Sequence, residues 1–369
     1  MWTRGAWLAG VGAATAATAA PDVPADGATR WSFDLALAYD ALSFAAPHTP
    51  AFSPSATDVT DADRKFSERL PWPQREKMMR IEERYRTTDA GVIAALIEAF
   101  DPFAPRTVRD LRRGVRLAAH GAPRPFADSV TDIESLLDAL IALDFDGYWT
   151  RNVGPRVETR IAEWRAGVGR TDPVSVVSAF MGVSVGPDVT MMLGAFAGGN
   201  QRIRDQRFYA YSGLSRRQVL GDVADALMRK TFAATVETDP ELNRLADSLR
   251  SDTFLQPRVR VFTTVYGGGW RNYVHTCAME ALSILVRERL DTVEETPSRR
   301  WRQPYTAEAA FVFAEALYAL LRRDRYPAKK HGPFRDTLAS YMTGDGPLAP
   351  GRIEATYHRL VGEPVIITR

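Results

Sequence analysis

The sequence predicts an α+β fold, mostly helical, with one small antiparallel sheet. Apolar residues recur at helical spacing between about residue 61 and residue 170, and again from 216 to the C-terminus. Between these regions, three short segments rich in β-branched and aromatic residues, punctuated by glycine, occupy 174–184, 189–199 and 207–213. The 369 residues are 45% hydrophobic and 25% charged, which suits a chain that buries a substantial core. A net charge of +2 gives no nucleic-acid footprint.

In chain order, Trp2-Thr3-Arg4 is a short basic start, 5–16 is weakly apolar, and Ala17-Thr18-Ala19 fits a small-x-small cleavage site. Residues 1–19 therefore read as an export signal of a secreted or periplasmic protein, too short to span a bilayer, and 20–30 as a flexible lead-in. A partly alternating stretch at 31–44 has strand character, and 45–61 is a Pro/Ser/Thr-rich loop. Asp61 or Asp63 caps the next helix, which Pro71 and Pro73 interrupt. Thr88, Thr107 and Thr131 each open a helix, the last with Glu134 completing a capping box, and 157–168 continues the pattern.

The β-branched segments that follow read as antiparallel strands turning at Gly186-Pro187 and at Gly198-Gly199-Asn200. Ser215 caps a helix over 216–236. A second helical region covers 239–252, the alternating RVRVFTTVY at 258–266 reads as a strand closing in glycines, and a long helix runs over 271–290. Residues 305–369 are helical with Pro/Gly breaks. The chain thus divides into a mainly helical N-terminal region, 31–170, a central core, 171–295, and a C-terminal helical region, 296–369.

In QVLGDVADALM (218–228), Gly221, Asp222 and Asp225 interrupt an amphipathic helix, and MEALSILVRERL (279–290) carries Glu280 on the long helix. Strands followed by two such helices resemble the gluzincin superfamily of zinc metallopeptidases, and most closely a group of exported bacterial proteins within it. In that family an HExxH helix supplies two His ligands and a Glu base, a second helix supplies a Glu ligand, and the preceding strand lines the substrate. Laid on this pattern, Gly221 stands for the first His, Asp222 for the base, Asp225 for the second His and Glu280 for the third ligand.

These departures bear on the metal. Gly221 offers no ligand, Asp222 is one methylene shorter than Glu, and Asp225 with Glu280 would suit Ca²⁺ or Mg²⁺ better than Zn²⁺. The resemblance therefore implies a metallopeptidase-like fold without its zinc: a pseudo-peptidase with no cofactor, acting by binding a peptide or protein. Strand addition along 189–198 or 207–213 would serve that role. Tyr209, Tyr211 and His275 are candidate binding residues beside it. A second reading is an active metal-dependent hydrolase using Asp222, Asp225 and Glu280. In a third, the likeness is accidental and both aspartates lie on the solvent face of an ordinary helix.

Other groups add little. The histidines are His48, His120, His275, His331 and His358, and no two stand at a helical ligand spacing. His275 is about 140° around the helix from Glu280. His358 could donate to an oxyanion but reads as a surface residue. The glycines of YGGGW (266–270) lack a phosphate-loop frame, and YSGLS (211–215) is no nucleophile elbow. Cys277, the only cysteine, sits among apolar neighbours and reads as core.

Overall fold

The computed structural model describes residues 29–45, 59–85, 92–168, 172–196, 201–202, 206–293, 301, 310–328 and 332–363. The export signal, most of the lead-in and the loop after residue 45 lie outside these residues, as do His48, His331 and Thr88. Among the described residues no helix is long and apolar enough to cross a membrane. The chain forms two compact units. One gathers Arg30–Thr171 and Asp188–Val219; the other gathers Asp172–Pro187 and Leu220–Arg369, with Thr29. The division expected near residue 170 is therefore more interleaved: 172–187 joins the C-terminal unit and the strands after it return to the first.

The first unit holds a sheet of β1 (Arg30–Leu35), β2 (Asp188–Gly194), β3 (Gln201–Arg202) and β4 (Arg207–Tyr211) in the order β1-β2-β4-β3. Pairing of β1 with β2 and of β2 with β4 is parallel; only the two-residue β3 runs antiparallel, on β4. Its helices are α1 (Leu37–Ala45), α2 (Asp61–Glu68), α3 (Trp72–Tyr85), α4 (Val92–Phe100), α5 (Val108–Ala119), α6 (Arg124–Ala127), α7 (Val130–Ala142), α8 (Phe145–Tyr148) and α9 (Gly154–Val168). Thr60 with Asp63 and Thr107 with Asp110 close reciprocal capping boxes on α2 and α5. The box expected at Thr131 is absent: α7 begins at Val130, and Glu134 instead takes Arg112 and Arg116.

The antiparallel sheet expected from the sequence is thus corrected on two counts. First, 174–184 is no strand but mostly helix α10 (Pro173–Met181) of the second unit. Its ends outweigh its β-branched content: the Asp172 side chain accepts from Ser175 N, Pro173 fills the first turn, and Gly182 closes it at φ 68°. Second, β2 and β4 are parallel neighbours because the chain leaves β2 without a hairpin. The Asp40 carboxylate of α1 takes the N–H groups of Ala195 (2.6 Å) and Phe196 (3.0 Å) and turns the chain away. It also accepts from Trp149 Nε1 at 2.7 Å and from the Tyr209 hydroxyl at 2.8 Å. A Cβ on Gly194 would stand 2.2 Å from Asp40 Oδ1, so the strand must end in glycine. Burial raises the Asp40 pKa, and the four donors oppose it.

This pairing also moves the open edge. β2 is flanked on both sides and β4 lies between β2 and β3, so neither 189–198 nor 207–213 offers a full free edge. The terminal strands are β1 and the two-residue β3.

In the second unit, α10 is followed by α11 (Arg216–Phe232), which begins in the first unit, then α12 (Pro240–Ser248), α13 (Gln256–Tyr266), α14 (Trp270–Arg289), α15 (Val312–Arg323), α16 (Phe334–Met342) and α17 (Ile353–Leu360). The strand expected at 258–266 is helix α13. Pro257 lies in its first turn, the Asp252 side chain accepts from Leu255 N ahead of it, and Gly267 ends it at φ 73°. Its R-V-R-V alternation gave way to packing against α14. That helix is buried on most of its circumference, from Tyr273 and Val274 through Cys277, Ala278, Leu282 and Val286, which marks it as the core of this unit. Around it lie α10, α12, α13 and α15.

Replacing Asp40 by Asn would turn two donor hydrogens towards a ring of donors. Asp40→Asn is expected to lower the unfolding free energy by about 3 kcal/mol, read by urea unfolding of the full chain with tryptophan emission; an unchanged midpoint would remove Asp40 as the anchor of the turn after β2.

Candidate functional site

Helix α11 starts where the sequence places it. The Ser215 hydroxyl accepts from Gln218 N at 3.2 Å, and the Gln218 side chain accepts from Ser215 N at 3.0 Å. Val219, Leu220, Val223, Ala224, Leu227 and Met228 form its buried stripe, and Gly221 is buried with them. Asp222 and Asp225, one turn apart, stand half-buried beside that stripe.

Both carboxylates meet an arginine that the sequence reading had not singled out. Arg287 of α14 donates through Nε to Asp225 Oδ2 at 3.0 Å and through Nη2 to the same oxygen at 2.7 Å. Nη2 also reaches Asp222 Oδ1 at 2.9 Å. The other Asp225 oxygen accepts from the Ser283 hydroxyl at 2.6 Å. Ser283 and Arg287 are one turn apart and so share a face of α14. Thr292 caps the end of that helix, its N–H donating to the Arg287 carbonyl at 2.8 Å.

Gly221 explains itself in this setting. A Cβ there would lie 2.6 Å from Arg287 Nη1 and 3.0 Å from Cζ. The guanidinium lies over the bare backbone of α11, and any side chain at 221 would displace it. The Arg287 side chain is only 15% exposed. Burial works to lower its pKa, but the charges and hydrogen bonds of Asp225 and Asp222 prevail and raise it above the ordinary value. The arrangement is a +1 cation held by two anions, with a serine completing the shell.

The ligand-equivalent positions carry other contacts. Gly221 has no side-chain donor, Asp225 gives Oδ2 to Arg287 and Oδ1 to Ser283, and Asp222 gives Oδ1 to Arg287. Glu280 lies seven residues before Arg287 on the same face of α14, about 10 Å further along the axis. Zinc needs about four donors converging within roughly 2.3 Å; among the described residues no group of three or more His, Cys, Asp or Glu side chains gathers as a metal site.

The other candidates are placed as follows. Tyr209 is wholly buried, its hydroxyl given to Asp40; Tyr211 is half-buried at the end of β4. His275 is 8% exposed, so it is interior rather than at a rim. It meets the Phe232 ring edge-on, and its Nε2 has no hydrogen-bond partner among the described residues. Burial, aided by the charge of Arg271, depresses its pKa to about 4, so it is neutral at pH 7. Cys277 is fully buried and burial raises its pKa, which leaves an unreactive thiol. His358 lies near Glu354 and Glu363, at 3.9 and 3.5 Å. Gly267 and Gly268 take positive φ (73° and 76°) to join α13 to α14.

The sequence reading missed Arg287 and Asp40. Nothing near Arg287 marks it, since its partners are 62 and 65 residues away. Asp40 did leave a signal: it is the one charge in the apolar run LALAYDALSF, and an acid in such a run is buried only when it has partners. No family model, curated protein or solved structure matches this chain.

Arg287→Met is expected to lower stability by about 2 kcal/mol, a partly exposed charge cluster left without its cation. Gly221→Ala should stabilise that variant by about 1 kcal/mol through helix propensity, yet fail to stabilise the wild type, where the methyl displaces the guanidinium. Denaturant unfolding of the four proteins measures this; an equal effect of Gly221→Ala in both backgrounds would take Arg287 off the glycine.

His275 supplies a pH dependence. Its pKa is about 4 folded and about 6.5 unfolded. The unfolded chain therefore binds the extra proton between these values, and stability is full above pH 6.5 and falls as pH drops towards 4. The whole effect is about 3 kcal/mol. The stability difference between wild type and His275→Leu should change across that window, and a difference independent of pH would contradict it.

Proposed function

We propose that the chain is an exported, non-catalytic protein of metallopeptidase-like organisation that acts by binding a peptide or protein partner. The observation that carries the reading is the Arg287 guanidinium on Asp222 and Asp225. Where the peptidase helix would present imidazoles to Zn²⁺ and a base to water, this helix presents two carboxylates to an internal cation of fixed charge. A permanently charged arginine cannot abstract a proton, and it neutralises the acids that could.

Binding then falls to backbone and surface. The outer side of β1 is the longer of the two terminal edges of the sheet, with no strand beside it among the described residues, and a peptide could add there as a further strand. Arg30, Ser32, Asp34 and Leu35 are exposed along it. This replaces the edges that the sequence suggested on β2 and β4.

Incubation with zinc chloride followed by dialysis should leave well under one zinc per chain, and denatured casein should stay intact in its presence. Casein cleavage that requires added Zn²⁺, Ca²⁺ or Mg²⁺ and is lost in Asp225→Ala and in Glu280→Ala would instead establish the altered-site hydrolase.

A further inference from the structure

We propose that the partner strand is β1 of a second copy, and that two chains pair through these edges in an antiparallel, two-fold arrangement. The inference rests on reading β1 as the open acceptor edge, and it deepens that reading by naming the occupant.

The backbone fixes which groups are available. Ala36 N donates to the Leu193 carbonyl at 2.9 Å, towards β2. The N–H and C=O of one strand residue point to the same side, and the side alternates along the strand. Residues 30, 32, 34 and 36 therefore address β2, and Trp31, Phe33 and Leu35 address the open side. Arg165 confirms the direction, its guanidinium reaching the Phe33 carbonyl from α9 at 3.5 Å. A carbonyl has two lone pairs, so this contact leaves room for a strand donor.

The side chains then select the occupant and the register. On the exposed face the edge reads Arg30, Ser32, Asp34: positive, neutral, negative. Arg30 holds Asp188 of β2 in a bidentate pair, Nε–Oδ1 2.7 Å and Nη2–Oδ2 2.8 Å, and with its side chain 69% exposed the remaining Nη1 faces solvent, where a second acid can meet it. Asp34 has no ion-pair or hydrogen-bond partner among the described residues. An antiparallel second copy centred on Ser32 sets each Arg30 against the other copy's Asp34, within reach of an ion pair. The same register sets Trp31 against Phe33 on the other face, extending the Trp31–Phe33 stack whose centroids are 6.1 Å apart. It also faces the outward N–H and C=O groups of 31 and 33 to each other, as a hydrogen-bonded pair requires. A slip of two residues keeps the hydrogen bonds but loses both charge pairs. The strand is complementary to itself in one register, and the interface is isologous.

The test is charge reversal in the full chain, read by sedimentation over roughly 1–300 μM, the range of a small interface. Wild type should shift from monomer to dimer. Asp34→Arg sets like charges against each other and should weaken dimerisation at least tenfold, as should Arg30→Asp. Mixing the two variants restores both pairs, so the mixture should form a heterodimer though neither variant forms a homodimer. Each variant is first shown to be folded by an unchanged thermal midpoint within a few degrees; if Arg30→Asp fails this through its loss of Asp188, Arg30→Gln with Asp34→Arg alone gives the same ordering of weakening. A wild type that is monomeric throughout, or a dimer indifferent to Asp34→Arg, overturns the self-pairing. Either result leaves the non-catalytic reading standing, since that reading fails only on metal-dependent cleavage.

Discussion

The C-terminal unit depends on one electrostatic arrangement: a guanidinium on α14 held between two carboxylates of α11. Removing an arginine from water is costly unless its donors are met and its charge is balanced. Here Asp225 takes Nε and Nη2, Asp222 shares Nη2, and the bare backbone of Gly221 makes room for the rest of the fork. These four residues make sense only as a set. Without Arg287, α11 would carry two acids and a helix-weakening glycine with nothing to offset them. Without Gly221, the arginine could not lie flat on the helix. Ser283 fixes the second oxygen of Asp225 and with it the orientation of the carboxylate that does most of the holding.

The first unit is organised by a related device of opposite character. Asp40 is a carboxyl group that, among the described residues, has no ionic partner in its immediate shell and is met by four donors from α1's neighbours in space: an indole, a phenol and two successive backbone amides. Because the amides belong to the residues after β2, this one carboxylate decides how the chain leaves the sheet. In the sheet around it β2 is interior, β4 lies beside it in parallel, and β1 and the short β3 are at the borders. Polar groups thus set the connectivity here, while Phe33, Met191, Phe208 and their neighbours supply the packing.

Much of the helical architecture was legible from the sequence. Thr107, Ser215 and the proline pair at 71 and 73 mark ends because capping is local chemistry, written in a few adjacent residues. The strands β2 and β4 were legible for a similar reason. Their partners were not, because pairing is a long-range contact: β1 and β2 are 158 residues apart along the chain. At 174–184 and 258–266 β-branched content pointed to strands, and the helix-capping residues on either side prevailed. At the candidate site, the oddity of Gly221, Asp222 and Asp225 was visible in the text, but its cause was not: a partner more than sixty residues away leaves no local trace.

The most direct test of this account is the side-chain ¹H–¹⁵N resonance of Arg287 Nε, assigned by its loss in Arg287→Lys. A guanidinium locked on Asp225 should give a single, slowly exchanging signal, shifted away from those of the solvent-exposed arginines and unmoved by added zinc. A signal merged with the exposed arginines, or one displaced when zinc is added, would mean that Asp222 and Asp225 are free to hold a metal, and the central claim would fall.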